Sequence, residues 1–286
     1  MEEAYPVLPQ FLKFRSNDNF GQLVWNEGIE GLEIHPLYHE EPVRPVQPTR
    51  LEWKAFWFLL QHAGVWNWQP HYAPEGGLSC DEHQWSLMVS KNGRFVSTCG
   101  NEAYPGTQEK HYEDGSPYDV LRTAVEVLTC RHYDSSMVSD EAPMALPESF
   151  DFTLWADAYE NLGVNIRWRK NGPGLQWQHV SHHEDKWIEL PSPSRLIWKA
   201  FCLLLDLAKV EKWDAEYPSF TTAHTGWSFE ASIGDRRIKT CGSDCYPQCE
   251  EGSGNLPGSP FDILLTALGL LINKDIQELR SSREGE

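Results

Sequence analysis

Two eight-residue blocks of the sequence combine a cysteine, an acid and a tyrosine around a glycine. They are TCGNEAYP, residues 98–105, and TCGSDCYP, residues 240–247. At the end of a strand, such a block could offer a thiol, a carboxylate and a phenol to a ligand once the glycine turns the chain. A nucleophilic thiol needs a base and an electropositive setting, however, and neither block contains a histidine. We therefore predict that both blocks are mainly scaffold. Four of their residues remain candidate contacts to a ligand or partner: Glu102, Tyr104, Asp244 and Tyr246.

Histidines and cysteines elsewhere have the chemistry of metal ligands. HPLYHEE, residues 35–41, and HVSHHED, residues 179–185, each carry two histidines four residues apart, followed by two acids. On a strand, such histidines share a face but lie about 13 Å apart, which is too far for one ion unless a turn intervenes. Four residues are therefore weak metal candidates: His35, His39, His179 and His183. The spacing of Cys241, Cys245 and Cys249 matches neither the paired cysteines of zinc sites nor an iron–sulfur sequence.

The segment WNWQPHY, residues 66–72, is dense in aromatic rings. Rings of this kind fill the core of a small domain, or they line a ligand pocket or anchor an interface. We favour the core interpretation. Four residues of the segment are kept as candidate contacts to a ligand or partner: Trp66, Trp68, His71 and Tyr72.

The elements that position these residues follow from an internal repeat. RLEWKAFWFLL and RLIWKAFCLLL share eight of eleven residues, and two further pairs of segments match at nine of 21 and seven of 14 positions. The three pairs are 50–60 with 195–205, 85–105 with 227–247, and 116–129 with 259–272. Because the blocks keep their order at offsets of 145, 142 and 143 residues, the chain is a tandem duplication. We predict a first module at 1–136, a linker at 137–149 and a second module at 150–286, each module with its own core.

Patterns within each copy predict the element order β-β-α-β-β-β-α. A hairpin comes first, then a helix capped by Thr49 or Ser194, a short strand, the hairpin that ends in the TCG block, and a second helix that begins with Ser-Pro. We therefore expect an α+β fold made by tandem duplication of this module. Its sheets should be mainly antiparallel with helices packed on one face, and the two copies should have a pseudo-twofold arrangement.

The composition predicts a binding protein of the cytoplasm. The chain has 42 acidic and 24 basic residues, a net charge of −18, which disfavours direct contact with nucleic acid. Its start lacks a signal-peptide pattern and its apolar runs are too short for a membrane span. We found no phosphate loop, HExxH or GxSxG motif, so we predict a non-enzymatic protein with no cofactor.

We expect such a protein to engage a basic protein partner through acidic, Trp-rich surfaces, as an inhibitor or immunity-type protein does. Two alternatives stay open: a small-ligand binder with a site between the two repeats, and a metal-dependent enzyme. The sequence does not predict the oligomeric state.

Overall fold

A computed structural model describes most of the chain. The described residues are 8–17, 21–26, 31–35, 43–74, 83–107, 112–129, 146–156, 162–180, 186–218, 225–248 and 256–281. The chain divides into two compact units, Met1–Val138 and Ser139–Glu286. In the described part, no helix is long and apolar enough to cross a membrane.

In the described residues, the first unit is a seven-stranded sheet with two α-helices. Its elements are β1 (Phe11–Ser16), β2 (Gly21–Asn26), β3 (Leu32–His35), β4 (Val43–Val46), α1 (Arg50–His62), β5 (His71–Tyr72), β6 (Gln84–Lys91), β7 (Arg94–Asn101) and α2 (Pro117–Thr129). The strand order is β4-β3-β2-β1-β6-β7-β5. All neighbours are antiparallel except β5, which pairs parallel with β7.

The second unit repeats this arrangement. Its elements are β8 (Ser149–Ala156), β9 (Leu162–Arg169), β10 (Gly174–Val180), β11 (Ile188–Glu189), α3 (Arg195–Ala208), β12 (Glu216–Tyr217), β13 (Thr225–Ile233), β14 (Arg236–Ser243), α4 (Pro260–Ile272) and α5 (Ile276–Ser281). The order β11-β10-β9-β8-β13-β14-β12 is that of the first sheet. The predicted α+β class, the duplication and the mainly antiparallel sheets with packed helices are confirmed, and the pseudo-twofold arrangement stays a prediction.

Each unit has two more strands before its first helix than the predicted module. The additional strands are β1 and β4, with β8 and β11 as their counterparts. In β1 the inward positions are Leu12, Phe14 and a buried serine, Ser16, which weakens the apolar alternation that predicts a strand. In β4 the sequence VRPV contains a proline, which lowers the strand signal.

The start of the second unit overlaps the end of the predicted linker. The indole Nε1 of Trp168 donates to the carbonyl of Pro147 at 2.8 Å, and the amide of Glu148 donates to the carbonyl of Ser232 at 2.9 Å. These bonds tie Pro147 and Glu148 to strands of the second unit. Residues 137–145 of the predicted linker lie outside the described residues.

One face of each sheet carries the core, because alternate residues of a strand point to the same face. In the first unit Phe14 opposes Leu23 and Leu87, and all three are at most 1% exposed. In the second unit Phe152 occupies the same position, opposite Ile166 and Phe229. The helices cover these faces.

Aromatic contacts show how the helices lie on the sheets. In the first unit, the ring of Trp53 in α1 lies 5.4 Å from Trp25, and Tyr118 in α2 lies 5.0 Å from Trp85. In the second unit, Trp198 contacts Trp168 at 4.8 Å and Phe261 contacts Trp227 at 4.8 Å. We call the opposite side of each sheet its outer face. In the first unit the described outer-face positions include Lys13, Arg15, Ser86, Met88, Ser97 and Cys99, none of which is buried.

The first helix of each unit begins at the predicted cap. The amide of Glu52 donates to Thr49 Oγ1 at 3.3 Å, and the Thr49 amide donates back to Glu52 Oε2 at 2.6 Å, which completes a capping box. Ser194 accepts from the amide of Ile197 at 3.3 Å, but isoleucine cannot return the bond. The difference follows from the residue at the third helical position, which is Glu52 in the first unit and Ile197 in the second.

Candidate functional site

The TCG blocks are built around a tryptophan of the neighbouring strand. The indole Nε1 of Trp85 donates to the carbonyl of Ala103 at 3.0 Å, and Trp227 donates to Cys245 at 2.9 Å. A Cβ on Gly100 would lie 2.3 Å from Trp85 Nε1, and one on Gly242 would lie 2.7 Å from Trp227 Nε1. The glycines are therefore required by the close approach of an indole, which both units share.

The acidic residue of each block lies where the strand ends and forms hydrogen bonds to a residue at or immediately before the start of the preceding strand. Glu102 and Asp244 both have left-handed backbone conformations, with φ of 45° and 47°. The Glu102 amide donates to the carbonyl of His83 at 2.9 Å. Asp244 donates to Thr225 in the same way at 2.8 Å, and its carboxylate also accepts from the Thr225 amide at 2.9 Å. Both side chains are half-buried, so their candidate role as contacts stays a prediction.

The tyrosines of these blocks lie in the cores. Tyr104 is 3% exposed and its ring lies 4.8 Å from Tyr118. Tyr246 is 5% exposed and lies 4.8 Å from Phe261. In these positions both rings serve the fold, and a partner at the surface would not reach them directly.

Two of the aromatic candidates in residues 66–72 also have scaffold partners. Trp68 Nε1 donates to the carbonyl of Ala63 at 3.0 Å, and Tyr72 OH accepts from the amide of Gln69 at 2.9 Å. The second unit contains the same bonds, from Trp213 to Ala208 at 2.9 Å and from Asp214 to Tyr217 at 2.9 Å. Their repetition indicates that these rings hold the turn after the first helix.

Trp66 belongs to the first unit alone. Its half-buried ring lies under the guanidinium of Arg94, with 4.5 Å between Cζ and the ring centroid. The second unit has Glu211 at the corresponding position. Trp66 thus contacts a cation of its own chain.

The exposed His71 lies beside a thiol. Because β5 pairs parallel with β7, His71 is in register with Cys99, and the distance from Nδ1 to Sγ is 3.3 Å. Neither TCG block contains a histidine, but the structure places His71 beside Cys99. The sequence did not indicate this contact because the two residues are 28 positions apart, and only the parallel pairing brings them together.

The structure also brings together polar residues that the sequence did not indicate. Ser16 Oγ lies 2.9 Å from His83 Nε2, and His83 Nδ1 lies 2.8 Å from Tyr104 OH. Nearby, Arg122 donates to Tyr112 OH and lies 3.2 Å from the carboxylate of Glu126. Ser16 is fully buried, so this chain of bonds does not present a nucleophile to solvent.

This polar cluster replaces apolar residues of the second unit. By strand register and alignment, the counterparts of Ser16 and Arg122 are Leu154 and Leu265. The pairing of Tyr118 with Phe261 in the third repeated block was the signal that could have located it. The first unit thus has hydrogen-bonding groups at positions where the second unit has apolar side chains.

The histidine candidates are not equivalent positions. His35 opposes Gln22 and Gln178 opposes Asn165, and these two pairs occupy the same place in their sheets. The counterpart of His35 is therefore Gln178, and His179 points to the other face because residues alternate along a strand.

A metal site has no support from the described residues. His35 Nε2 lies 3.5 Å from its neighbour Glu33. His39, His183 and Cys249 lie outside the described residues. Within the part that is described, no group of three or more His, Cys, Asp or Glu residues could hold a metal ion.

An exposed tryptophan on the outer face of the second sheet was missed. Trp155 is 40% exposed and lies in register with Gly163 and Gly226 on its two neighbouring strands. A Cβ on Gly226 would lie 2.2 Å from Trp155 Cε2, so the indole rests directly on this glycine. The alternation of Phe150, Phe152 and Leu154 toward the core already implied an outward Trp155.

The acidic charge is unevenly distributed along the chain. Residues 1–148 hold 22 acidic and 10 basic side chains, a net charge of −12, and residues 149–286 hold 20 acidic and 14 basic, a net charge of −6. Two thirds of the excess negative charge therefore belongs to the first half of the chain.

A scan against protein-family models and a search of curated proteins found no match to this chain.

Proposed function

We propose that this chain is a non-enzymatic binding protein that engages a basic protein partner. The observation that carries the proposal is the acidic charge, which is −18 for the whole chain and −12 for residues 1–148 alone. Such negative charge accelerates encounter with a positively charged partner and orients it.

Trp155 supplies an anchor that complements this charge. Its indole is exposed on the outer face of the second sheet and is supported from below by Gly226. An indole in this position could bury apolar surface against a partner and accept a Lys or Arg side chain over its ring. Of the tryptophans considered as contacts to a partner, we keep Trp155, because Trp66 and Trp68 have partners within their own unit.

We also propose that the protein acts in the cytoplasm. Among the described cysteines, Cys99, Cys202, Cys241 and Cys245 form no disulfide. Thiols persist in this form in a reducing compartment.

Affinity capture with matched baits tests the proposal. The first bait neutralises four acids in the more acidic first half of the chain, E27Q, E30Q, E40Q and E41Q. The second neutralises four exposed acids in the second half, E189Q, E211Q, E216Q and E278Q. The wild-type chain should capture basic proteins at low salt and release them at high salt. The first variant should lose about tenfold of this capture, and the second should lose little.

A third bait tests the anchor. W155A should weaken capture of the same proteins, whereas W66A, which alters a tryptophan in contact with Arg94, should not. Equal losses for both charge variants would reduce the effect to net charge alone and contradict the proposal. Capture that does not depend on salt, or no capture above an empty matrix, would also contradict it.

A further inference from the structure

Cys99 and His71 place a thiol next to an imidazole, the arrangement that activates nucleophilic cysteines. Sγ of Cys99 and Nδ1 of His71 lie 3.3 Å apart at the edge of the first sheet, where β5 meets β7. The thiol is half-buried and the imidazole is exposed, so a small molecule can approach the sulfur. An imidazole at this distance can take the thiol proton and leave the thiolate, which is the nucleophilic form.

Among the described residues, no carboxylate occupies an outer-face strand position adjacent to this pair. The in-register neighbour on β6 is Ser86, and the next outer-face residues along β7 are Ser97 and Asn101. Arg15 lies one strand further away, in register with Ser86. The described strand positions next to Cys99 are therefore neutral, so no adjacent negative charge disfavours a thiolate there.

In the part of the second unit that the structure describes, the same thiol has no neighbouring histidine. Cys241 has the same backbone position, and its Sγ lies 3.7 Å from the carbonyl of Ala215, as Cys99 Sγ lies 3.7 Å from Pro70. Its partner in register on β12 is Glu216, a carboxylate, in place of the imidazole. Cys241 is nevertheless the more exposed of the two thiols.

We propose that Cys99 is a nucleophilic thiol, activated by His71, that reacts with small disulfides, and that Cys241 is its inactive counterpart. His71 takes the proton from Cys99, and the thiolate sulfur attacks one sulfur of the disulfide. A new S–S bond forms as the old one breaks, and its electron pair leaves on the departing thiolate, which receives the proton from His71. One thiol and one disulfide thus give one mixed disulfide and one new thiol.

Site-resolved kinetics on the full chain test this assignment. The protein is treated with 2-hydroxyethyl disulfide near neutral pH and quenched with acid. The remaining thiols are alkylated, and each cysteine peptide is quantified by mass spectrometry. Cys99 should form the mixed disulfide about tenfold faster than Cys241. Exposure alone predicts the opposite order, so the two explanations are distinguished by one ratio.

Exchange of the two partners provides matched variants. H71E gives Cys99 the neighbour that Cys241 has, and it should lower the Cys99 rate about tenfold. E216H should raise the Cys241 rate, and H71N, which keeps a polar side chain but no base, should behave as H71E does. Since both exchanges use residues found at the same position in the other unit, thermal unfolding should be nearly unchanged. A Cys241 rate above that of Cys99, or a Cys99 rate unaffected by H71E, would overturn the proposal.

Discussion

The two units share one scaffold and differ in what they place on it. Thr98 Oγ1 donates to Gln69 at 2.7 Å, and Thr240 Oγ1 donates to Asp214 at the same distance. The indole bonds under the TCG blocks agree within 0.1 Å, at 3.0 and 2.9 Å. Interactions kept in both copies are therefore those that each sheet needs in order to fold.

The differences lie in particular places. Among the described residues, only the first unit has a histidine beside its TCG thiol and the hydrogen-bonded cluster of Ser16, His83 and Tyr104. The second unit alone has the exposed Trp155 on its glycine support. Comparison of the copies thus separates residues that hold the fold from residues that are available for function.

The strongest test of the shared scaffold is substitution of its glycines. G100A and G242A should each destabilise the protein by about 3 kcal/mol, because the new Cβ meets an indole held by its own hydrogen bond. Urea unfolding measures both. As controls, G93A and G234A place a Cβ in open space with φ of 74° and 56°, so only the backbone cost of about 1 kcal/mol applies. If G100A and G93A destabilised the protein equally, contact with the indole would not be the cause.

The free energy of unfolding should depend on pH through a lysine that the first unit has and the second unit lacks. Lys91 is buried with its ammonium 4.1 Å from the centroid of Trp57, and burial lowers the pKa of Lys91 from 10.5 to about 8. Between these values the unfolded chain binds more protons than the folded one, so stability rises with pH. The second unit has Ile233 at this position. We expect K91I to remove a rise of about 1 kcal/mol in urea unfolding between about pH 7.5 and about pH 9.5, and an unchanged rise would contradict this origin.

The second unit has Cys202 at the position of Trp57, and this residue should change stability with pH in the opposite direction. Burial, followed by the charge of Asp206, raises the pKa of Cys202 from 9.0 to about 11, against a smaller opposing effect of Arg236. Here the unfolded chain ionises first, so stability falls as pH rises from 9.0 towards 11. C202A should flatten this decline, whereas C241A, at an exposed thiol, should leave it in place.

The smallest expected difference concerns the caps of the first helices. T49A should cost about 1.5 kcal/mol, because it removes two hydrogen bonds of the Thr49 hydroxyl, one accepted from the Glu52 amide and one donated to Glu52 Oε2 at 2.9 Å. S194A should cost about 0.7 kcal/mol, because it removes a single bond. Thermal unfolding of both variants measures the difference. A larger loss for S194A would show that the bond from the Thr49 hydroxyl to Glu52 adds nothing.

Much of the fold could be predicted because the repeated blocks carry local signals. The caps at Thr49 and Ser194 and the hairpin before each TCG block depend on residues close in the sequence. The central strand β1 was missed because its third inward residue is the serine of the polar cluster, Ser16. A strand that carries a buried polar residue loses part of the pattern that identifies it.

The sites were less predictable, for two different reasons. His71 and Cys99 meet only through a two-residue parallel pairing, which the sequence does not encode locally. Trp155, in contrast, follows directly from the alternation of Phe150 and Phe152, but the segment was assigned to the start of a module after a linker and not to a strand. Long-range pairing limits prediction in the first case, and an unrecognised strand limits it in the second.

Separation of the two units tests the central claim most directly. A protease site placed between residues 138 and 145 would allow the folded chain to be cut, and the two fragments could then be purified and unfolded with urea. If each copy closes its own apolar core, both fragments should unfold in a single cooperative transition, and their far-ultraviolet circular dichroism should sum to that of the intact chain. A fragment without a cooperative transition, or a summed spectrum with much less sheet, would contradict the claim.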